Sequence, residues 1–299
     1  MEPSELAPLN RVGVWTFALG GLPFPMLREA AAEIEELGYG SLWFPESPAG
    51  EPFVASSLVL ASTSTLIAGT GIASIWLRHP ATMNATARGL GRAFPGRFLL
   101  GLGVSHALMV DTLFPDQYAK PVALMRKYLD DMDAVPMGRE PPRERPPRVL
   151  AALGDKMLEL ARDRADGAHP YNATAEHTAH ARAVLGPDKL LVPEQAVVLS
   201  SDRSEVRARA RAHLSTYLLL ENYRNNWLRL GFTEDDFADG GSERLCDALV
   251  VGGDAEAIRR RVADHLQAGA DHVLIQALGE GRTVPLDQWR ELGPALQFD

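Results

Sequence analysis

Residues 66–106 (LIAGTGIASIWLRHPATMNATARGLGRAFPGRFLLGLGVSH) read as strand, helix, strand. The two strands lie too far apart in sequence for a hairpin, and one helix with an apolar face joins them, which is the pattern of a parallel βαβ unit. Residues 66–76 are rich in β-branched and aliphatic side chains and break at Arg78-His79-Pro80. Proline suits the first turn of a helix, where its missing N–H is not needed. Met83, Ala87, Leu90 and Phe94 then recur at helical spacing, and Pro95-Gly96 ends the helix. Residues 97–104 are almost unbroken in apolar character, as expected for a parallel strand covered on both faces.

The same unit recurs along the chain. Residues 11–17 (RVGVWTF) predict a first strand, and a helix over 25–37 stops at Gly38. Residues 41–45 (SLWFP) predict a short second strand and 53–63 a second helix. After the fourth strand, 108–115 reads as a loop with a helical turn and 122–135 as a helix. The stretch 138–147 (GREPPRERPP) resembles a linker in composition, but 148–153 (RVLAAL) starts a strand at once, so it reads as a surface connection. A helix over 157–164, a short strand over 167–171, a helix over 174–184 capped by Thr174 and a seventh strand over 194–200 follow. Residues 205–230 are mostly helical, 233–241 form an acidic loop and 243–249 another helix. Asp254 caps a helix that ends at Gly269, 271–277 is the eighth strand, and a last helix closes the chain over 289–296. Eight strands alternating with helices, without a hairpin signal, predict an α/β fold, a (β/α)8 TIM barrel with insertions after strands four and seven, as one domain over 1–299. An open doubly wound sheet would carry G-x-G-x-x-G after the first strand, and residues 15–24 do not.

A chain of 299 residues with net charge −9 lacks the clustered basic surface that nucleic acid requires. Its single Cys246 rules out an internal disulfide or a cysteine metal cluster and fits a reducing compartment. No secretory pattern opens the sequence and no apolar run reaches membrane-spanning length, so a cytoplasmic location without membrane contact is expected.

Barrels of this kind place catalytic groups at the C-terminal ends of strands. That rule selects Thr16 and the 19–21 turn, Glu46-Ser47, then Ser74, Trp76, Arg78 and His79, then Ser105 and His106, and finally Gly154 and Tyr171-Asn172. Gly101-x-Gly103 has two readings: a flat ligand approaching the backbone, or small residues filling the taper of the barrel. No strand carries an H-x-H pair, and His177 and His180 read as a solvated helix face, so no metal is expected. Neither a G-x-S-x-G elbow nor a phosphate-loop lysine motif occurs.

Taken in order, Leu42-Trp43-Phe44-Pro45-Glu46, Gly69-Thr70-Gly71-Ile72, Arg78-His79-Pro80, Pro95-Gly96-Arg97 and Gly101-Leu102-Gly103 resemble the bacterial luciferase-like superfamily of flavin- and deazaflavin-dependent oxidoreductases. Residues 150–158 and 165–169 resemble the branch assigned to coenzyme F420. The resemblance spans nearly the whole chain and is most specific over 67–103. It implies a homodimeric barrel that holds a deazaflavin at the strand ends and moves a hydride to or from a small organic substrate. In the family, strand three ends in a bulge with a non-prolyl cis peptide against the ring, and the matching bond is Gly71-Ile72 or its neighbour. The cofactor would then touch Gly71, Ile72, Ala73, Gly103 and Val104, with its phosphate at Gly154, Tyr171, Asn172 and Thr174. Lys156 and Arg282 could add charge for the cofactor tail, whereas Asp155 replaces a usual proline and would repel a phosphate.

His106 stands where sugar-phosphate-oxidising relatives carry a catalytic glutamate, and Ser47 where they carry a histidine. Sugar phosphate is therefore not the expected substrate, and His106 is the acid/base candidate, since imidazole titrates near neutral pH. Glu46 is open between a catalytic contact to cofactor or substrate and support of the loop backbone, and Trp76 and Ser47 are expected to meet substrate. His79 reads as a helix-entry residue. The aromatic residues Tyr217, Tyr223, Trp227, Phe232 and Phe237 fit an apolar lid or ordinary core. The alternatives are an FMN-dependent monooxygenase on the same fold, a barrel that binds the cofactor without turnover, and a dinuclear-metal hydrolase.

Overall fold

The computed structural model describes residues 2–48, 50–136, 144–279 and 283–298. Its main sheet has eleven strands, all paired in parallel. In chain order the principal strands are β1 (Val12–Trp15), β2 (Ser41–Phe44), β3 (Ile67–Thr70), β4 (Phe98–Gly103), β5 (Arg148–Leu150) and β6 (Gly167–Ala168). Strand β7 comes in two pieces, Leu190–Leu191 and Glu194–Leu199, and β8 is Val273–Ala277. Neighbours follow sequence order from β1 to β6, and β8 lies beside β1.

The sheet curls until β7 meets both flanks. Leu190 and Leu191 pair with Gly167 and Ala168 of β6, while Glu194 to Val197 pair with Leu274 to Ala277 of β8. The two pieces are separated by Val192 and Pro193; the Val192 amide still donates to Ala168 O at 2.9 Å, and Leu274 N donates to Pro193 O at 2.9 Å. Proline has no N–H to give a ladder, which explains the break. The sequence predicts this strand from 194; it starts four residues earlier because the interruption is a single imino acid, not a turn.

An accessory strand, Val250–Gly253, pairs with the distal half of β7. Nothing in the sequence predicts it, since two valines followed by two glycines carry no strand-length apolar run.

Between these strands run α1 (Phe24–Glu36), α2 (Pro52–Ser62), α3 (Pro80–Ala93), α4 (Ala107–Leu113), α5 (Pro121–Asp133), α6 (Asp155–Arg164) and α7 (Ala175–Leu185). After β7 come α8 (Arg203–Tyr217), α9 (Glu221–Arg229) and α10 (Glu243–Leu249), then α11 (Ala255–Gln267) and, after β8, α12 (Leu286–Ala295). The acidic loop is a short 3-10 helix, Glu234–Gly240, opened by a Thr233–Asp236 capping box. The proline-led start of α3 agrees with the sequence, α2 and α5 also open on a proline, one residue before the sequence places them, and His79 caps α3 by accepting from Ala81 N. Residues 137–143 of the proline-rich connection lie outside the described residues; beyond them Glu144–Arg145 pairs with Glu2–Pro3.

Strand alternation separates three apolar layers. Val14, Leu42, Phe44, Ala68, Phe98 and Leu100 join the inner faces of the helices, such as Leu27, Ala31 and Ile34 of α1. Trp15, Trp43, Ile67, Leu99, Val149, Val192 and Leu274 point the other way and fill the centre of the curled sheet. Gly69 is glycine because the Trp43 ring lies across it; an added Cβ would stand 2.5 Å from that ring. A third cluster, around Trp227, Leu214, Leu245 and Cys246, lies beneath α8–α10 and against Ala196 and Val198 of β7. Among the described residues no helix is long and apolar enough to cross a membrane.

One expectation fails here. His177 is buried, not part of a solvated face, and its Nε2 donates to Leu153 O at 2.9 Å. Helix α7 leans this side toward the end of β5, which its sequence periodicity alone does not reveal.

Candidate functional site

The C-terminal strand ends meet on one side of the sheet. After β3 the chain turns through a cis Gly71-Ile72 peptide, and Ala73–Ser74 rejoins the sheet beside Leu102 and Gly103 of β4. Hydrogen bonds fix this bulge from several directions. Gly71 N donates to Phe44 O at 2.8 Å, Glu46 N to Ile72 O at 3.0 Å, and Trp15 Nε1 to Gly71 O at 2.9 Å. Thr70 Oγ1 donates to Gly101 O at 2.7 Å and accepts from Gly101 N at 2.8 Å.

The bulge also accounts for the glycine pair. A Cβ at Gly101 would lie 1.9 Å from Thr70 O, and one at Gly103 would lie 2.5 Å from Ile72 Cδ1. The close approach these glycines permit is made by the neighbouring strand. Ile72 and Val104 remain half-buried and offer an apolar surface.

At the end of β2, both oxygens of Glu46 are engaged. Oε1 accepts from Arg78 Nη2 at 3.0 Å, and Oε2 accepts from Arg78 Nη1 and from Ser74 N, the latter at 3.1 Å. Arg78 also pairs with Glu51, which caps α2. Ser47 joins Gly50 through backbone bonds in both directions. Trp76 donates from Nε1 to Val104 O at 2.9 Å and stacks with Phe114 and Tyr118, at centroid distances of 5.9 and 6.2 Å.

His106 precedes α4, half-buried, with its ring 5.5 Å from Tyr223. Its Nδ1 lies 3.1 Å from Asn222 Oδ1 of α9. With that oxygen as acceptor, Nδ1 carries the proton and Nε2 is the basic nitrogen of the neutral ring. Burial pushes the imidazole below its ordinary range, and the Asn222 hydrogen bond only partly offsets it.

Around the ends of β5 and β6 the surroundings are polar and buried. Gly154 precedes α6 with no side-chain cap, and a Cβ there would stand 3.7 Å from Arg229 Nη2. Arg229 in turn donates to Asn226 Oδ1 at 3.2 Å. Thr174 caps α7 by accepting from His177 N at 3.3 Å. Asn172, in the left-handed region at φ 51, is a junction of three elements. Its N–H donates to Glu194 Oε2 at 3.0 Å, its Oδ1 accepts from His213 Nε2 at 2.9 Å, and its carbonyl accepts from Trp227 Nε1 at 3.2 Å. Asn172 Nδ2, Asn226 Nδ2, His177 Nδ1 and Glu194 Oε1 are buried without a partner. Burial drives Glu194 up to about 8, offset in part by the Asn172 amide, and pushes His213 and His177 down to about 4.

Tyr171 extends from β6 across this junction. Its hydroxyl donates to Gln276 Oε1 at 2.7 Å and lies 2.9 Å from that of Tyr217, and its ring centroid is 4.8 Å from Trp15. Phe17, half exposed at 51%, meets the far edge of Trp15 at 4.8 Å. Of the aromatic set expected over this face, Trp227, Phe232 and Tyr223 are buried core, whereas Tyr217 is half-buried against Tyr171.

These observations bear on whether a cofactor with a flat ring and an acidic tail fits. Ile72 and Val104 supply an apolar surface beside His106. Two unpartnered buried amides, Arg229 and the uncapped start of α6 supply donors for an anion. Asp155, the first residue of α6, pairs with His180 at 2.7 Å; that bond holds its carboxyl below the usual range and so keeps the negative charge that the sequence sets against a phosphate at this point. The residues present fit such a group. Arg282 lies outside the described residues. Among those described, no cluster of three or more His, Cys, Asp or Glu side chains is arranged to hold a metal.

Sequence reasoning misses Asn222, Arg229, Asn226, His213 and Glu194. The first four arrive on α8 and α9, whose docking is set by long-range packing. Glu194 had one visible sign, a carboxylate heading the apolar run EQAVVLS.

Comparison with known proteins identifies the family and the fold. The family described as Luciferase-like monooxygenase matches residues 9–272. A Mycobacterium tuberculosis protein named "Putative coenzyme F420-dependent oxidoreductase Rv3520c" is 22% identical over 331 aligned positions, covering 89% of this chain and 94% of that protein. An F420-dependent secondary alcohol dehydrogenase, solved with an F420-acetone adduct, superposes with TM-score 0.74 at 15% identity over 97% of this chain and all (100%) of that one. The FMN complex of the oxygenating constituent of 3,6-diketocamphane monooxygenase from Pseudomonas putida gives TM-score 0.70 at 13% identity, over 95% and 96% of the two chains. The fold is thus shared by proteins named for F420 and for FMN. With a matching profile over most of its length, this chain belongs to the luciferase-like monooxygenase family of oxidoreductases.

Proposed function

We propose that the protein binds coenzyme F420 at the strand ends and transfers a hydride between it and a small, neutral organic substrate. The observation that carries this reading is the anion-ready junction after β5 and β6, with its buried unpartnered amides and Arg229, on the same face as the Ile72–Val104 surface. When bound, the deazaflavin would give or take the hydride. Asn172, Asn226, Arg229 and the α6 start would hold its acidic tail, while Ile72 and Val104, backed by the buried Ala73 and Gly103, would offer the ring its surface. His106, kept neutral with Nε2 basic, would accept a hydroxyl proton as the substrate carbon loses hydride, or return it in the reverse direction. Arg78 is neutralised by two carboxylates, which disfavours an anionic substrate group beside β2. The relatives named for F420 support this choice of cofactor, and the homodimer is what the family resemblance implies.

The test is titration of purified protein with F420 and with FMN, followed by fluorescence. Tighter binding of F420 is expected. Tight FMN binding without F420 binding, together with oxygen consumption by the FMNH2-loaded protein, would overturn the assignment in favour of a monooxygenase.

A further inference from the structure

We infer that Glu46 and Arg78 are positioning residues: together they clasp the bulge at residues 72–74 and hold fixed the surface on which a cofactor ring would rest. Glu46 grips the bulge twice, donating from its own N–H to Ile72 O at 3.0 Å and accepting from Ser74 N at 3.1 Å through Oε2. Its backbone and side chain therefore bracket the two residues after the cis bond. Arg78 binds both carboxylate oxygens, which commits the carboxylate to a fixed orientation. The pair is largely shielded, with side-chain exposures of 13% for Glu46 and 14% for Arg78. An ion pair so shielded and bidentate is worth more, and holds geometry better, than an exposed one.

Arg78 is itself held on every side. Glu51 takes a second edge of the guanidinium, the Phe53 ring lies 4.9 Å from its centre, and Tyr128 OH donates to its carbonyl at 2.7 Å. Glu51 also accepts from Val54 N at the start of α2, so the clasp joins β2, α2, α5 and the segment leading into α3. The sequence leaves Glu46 open between catalysis and loop support. The geometry assigns it to support.

The clasp stands on these contacts alone; its effect on a cofactor rests on the reading above. Two arms keep the claims separate. In the cofactor-free protein, amide hydrogen exchange followed by NMR should show Ser74 N–H exchanging at least tenfold faster in Glu46→Ala and in Arg78→Met. Gly71 N–H, bonded to Phe44 O, should be unchanged. Glu46→Gln, which keeps an acceptor for Ser74, should restore most of the protection. Unchanged Ser74 exchange in both Glu46→Ala and Arg78→Met overturns the clasp. So does equal loss at Ser74 and Gly71 in Glu46→Gln, which would mark general fold support. In the second arm, Glu46→Ala should weaken F420 binding about tenfold and Glu46→Gln by less. If both variants bind F420 as wild type does, the bulge is not a ring support and that half of the inference fails. If wild type binds neither F420 nor FMN, the cofactor reading fails while the exchange arm still decides the clasp.

Discussion

Glu194 offers the sharpest quantitative check on the electrostatics of the site. Its side chain has no exposure, one hydrogen bond from Asn172 N, and an unpartnered second oxygen. Burial raises its pKa from 4.5 to about 8. The folded protein thus keeps a proton that the unfolded chain releases above pH 4.5, and stability falls as pH rises through this window. A shift of one unit corresponds to about 1.4 kcal/mol. Between pH 5 and 8 Glu194 alone should therefore remove roughly 3–4 kcal/mol of stability. The buried imidazoles act in the opposite sense. His169, His177, His213 and His272 are driven down to about 4 and His265 to about 3 by burial, so each loses stability as pH falls below 6.5. A single pH profile mixes these terms, and the difference between wild type and Glu194→Gln isolates one. Glutamine keeps an acceptor for Asn172 N and removes the titration; its buried NH2 adds a cost of about 1–3 kcal/mol that does not change with pH. Urea unfolding at pH 5, 6, 7 and 8 should show the variant gaining steadily on wild type, by roughly 3–4 kcal/mol from the first to the last. Parallel stability profiles would refute the reasoning and place a compensating charge beside Glu194.

Three further outcomes are expected. His106→Gln should reduce F420-linked turnover by about 10²–10⁴-fold while leaving F420 affinity within a few-fold, as read by steady-state kinetics and fluorescence titration. Arg229→Met should weaken F420 binding about tenfold, close to 1.4 kcal/mol, with the unfolding midpoint little changed. Gly103→Ala forces a methyl group to within 2.5 Å of Ile72 Cδ1 and should cost about 1–3 kcal/mol in urea unfolding; it should also loosen the bulge, read as faster exchange at Ser74.

How much of this was legible in the sequence depended on how local each signal was. The β3–α3–β4 unit could be read because apolar period, Pro80 and Pro95-Gly96 all lie within one short stretch and agree. The start of β7 could not, because Pro193 looks like a boundary when the closed sheet simply tolerates one missing donor. The accessory strand Val250–Gly253 is too short and too glycine-rich to signal itself. Candidate residues on strand ends were placed by the fold rule, and the structure does put them on one face. Their partners were not legible: Arg78 meets Glu46 from 32 positions away and Asn222 meets His106 from 116. The glycine pair shows the same limit from the other side. The sequence left Gly101 and Gly103 open between a ligand's approach and small residues filling the taper, and only the structure shows that Thr70 O and the Ile72 side chain occupy the space a Cβ would need.

The excursion that carries α8–α10 leaves the sheet after Leu199 and returns at Val250, and Ser200 bridges Gly253 where the two stems run side by side. Its ends are stitched together before the helices begin, so the ring of strands does not register how long the detour is. Lengthening such a closed detour is cheap, since the entropy of closure grows only with the logarithm of its length. Yet this detour delivers Asn222, Tyr217, His213 and Arg229 to the mouth. The side chains that this detour sets over the strand ends can therefore change in number and kind while the hoop beneath them stays the same.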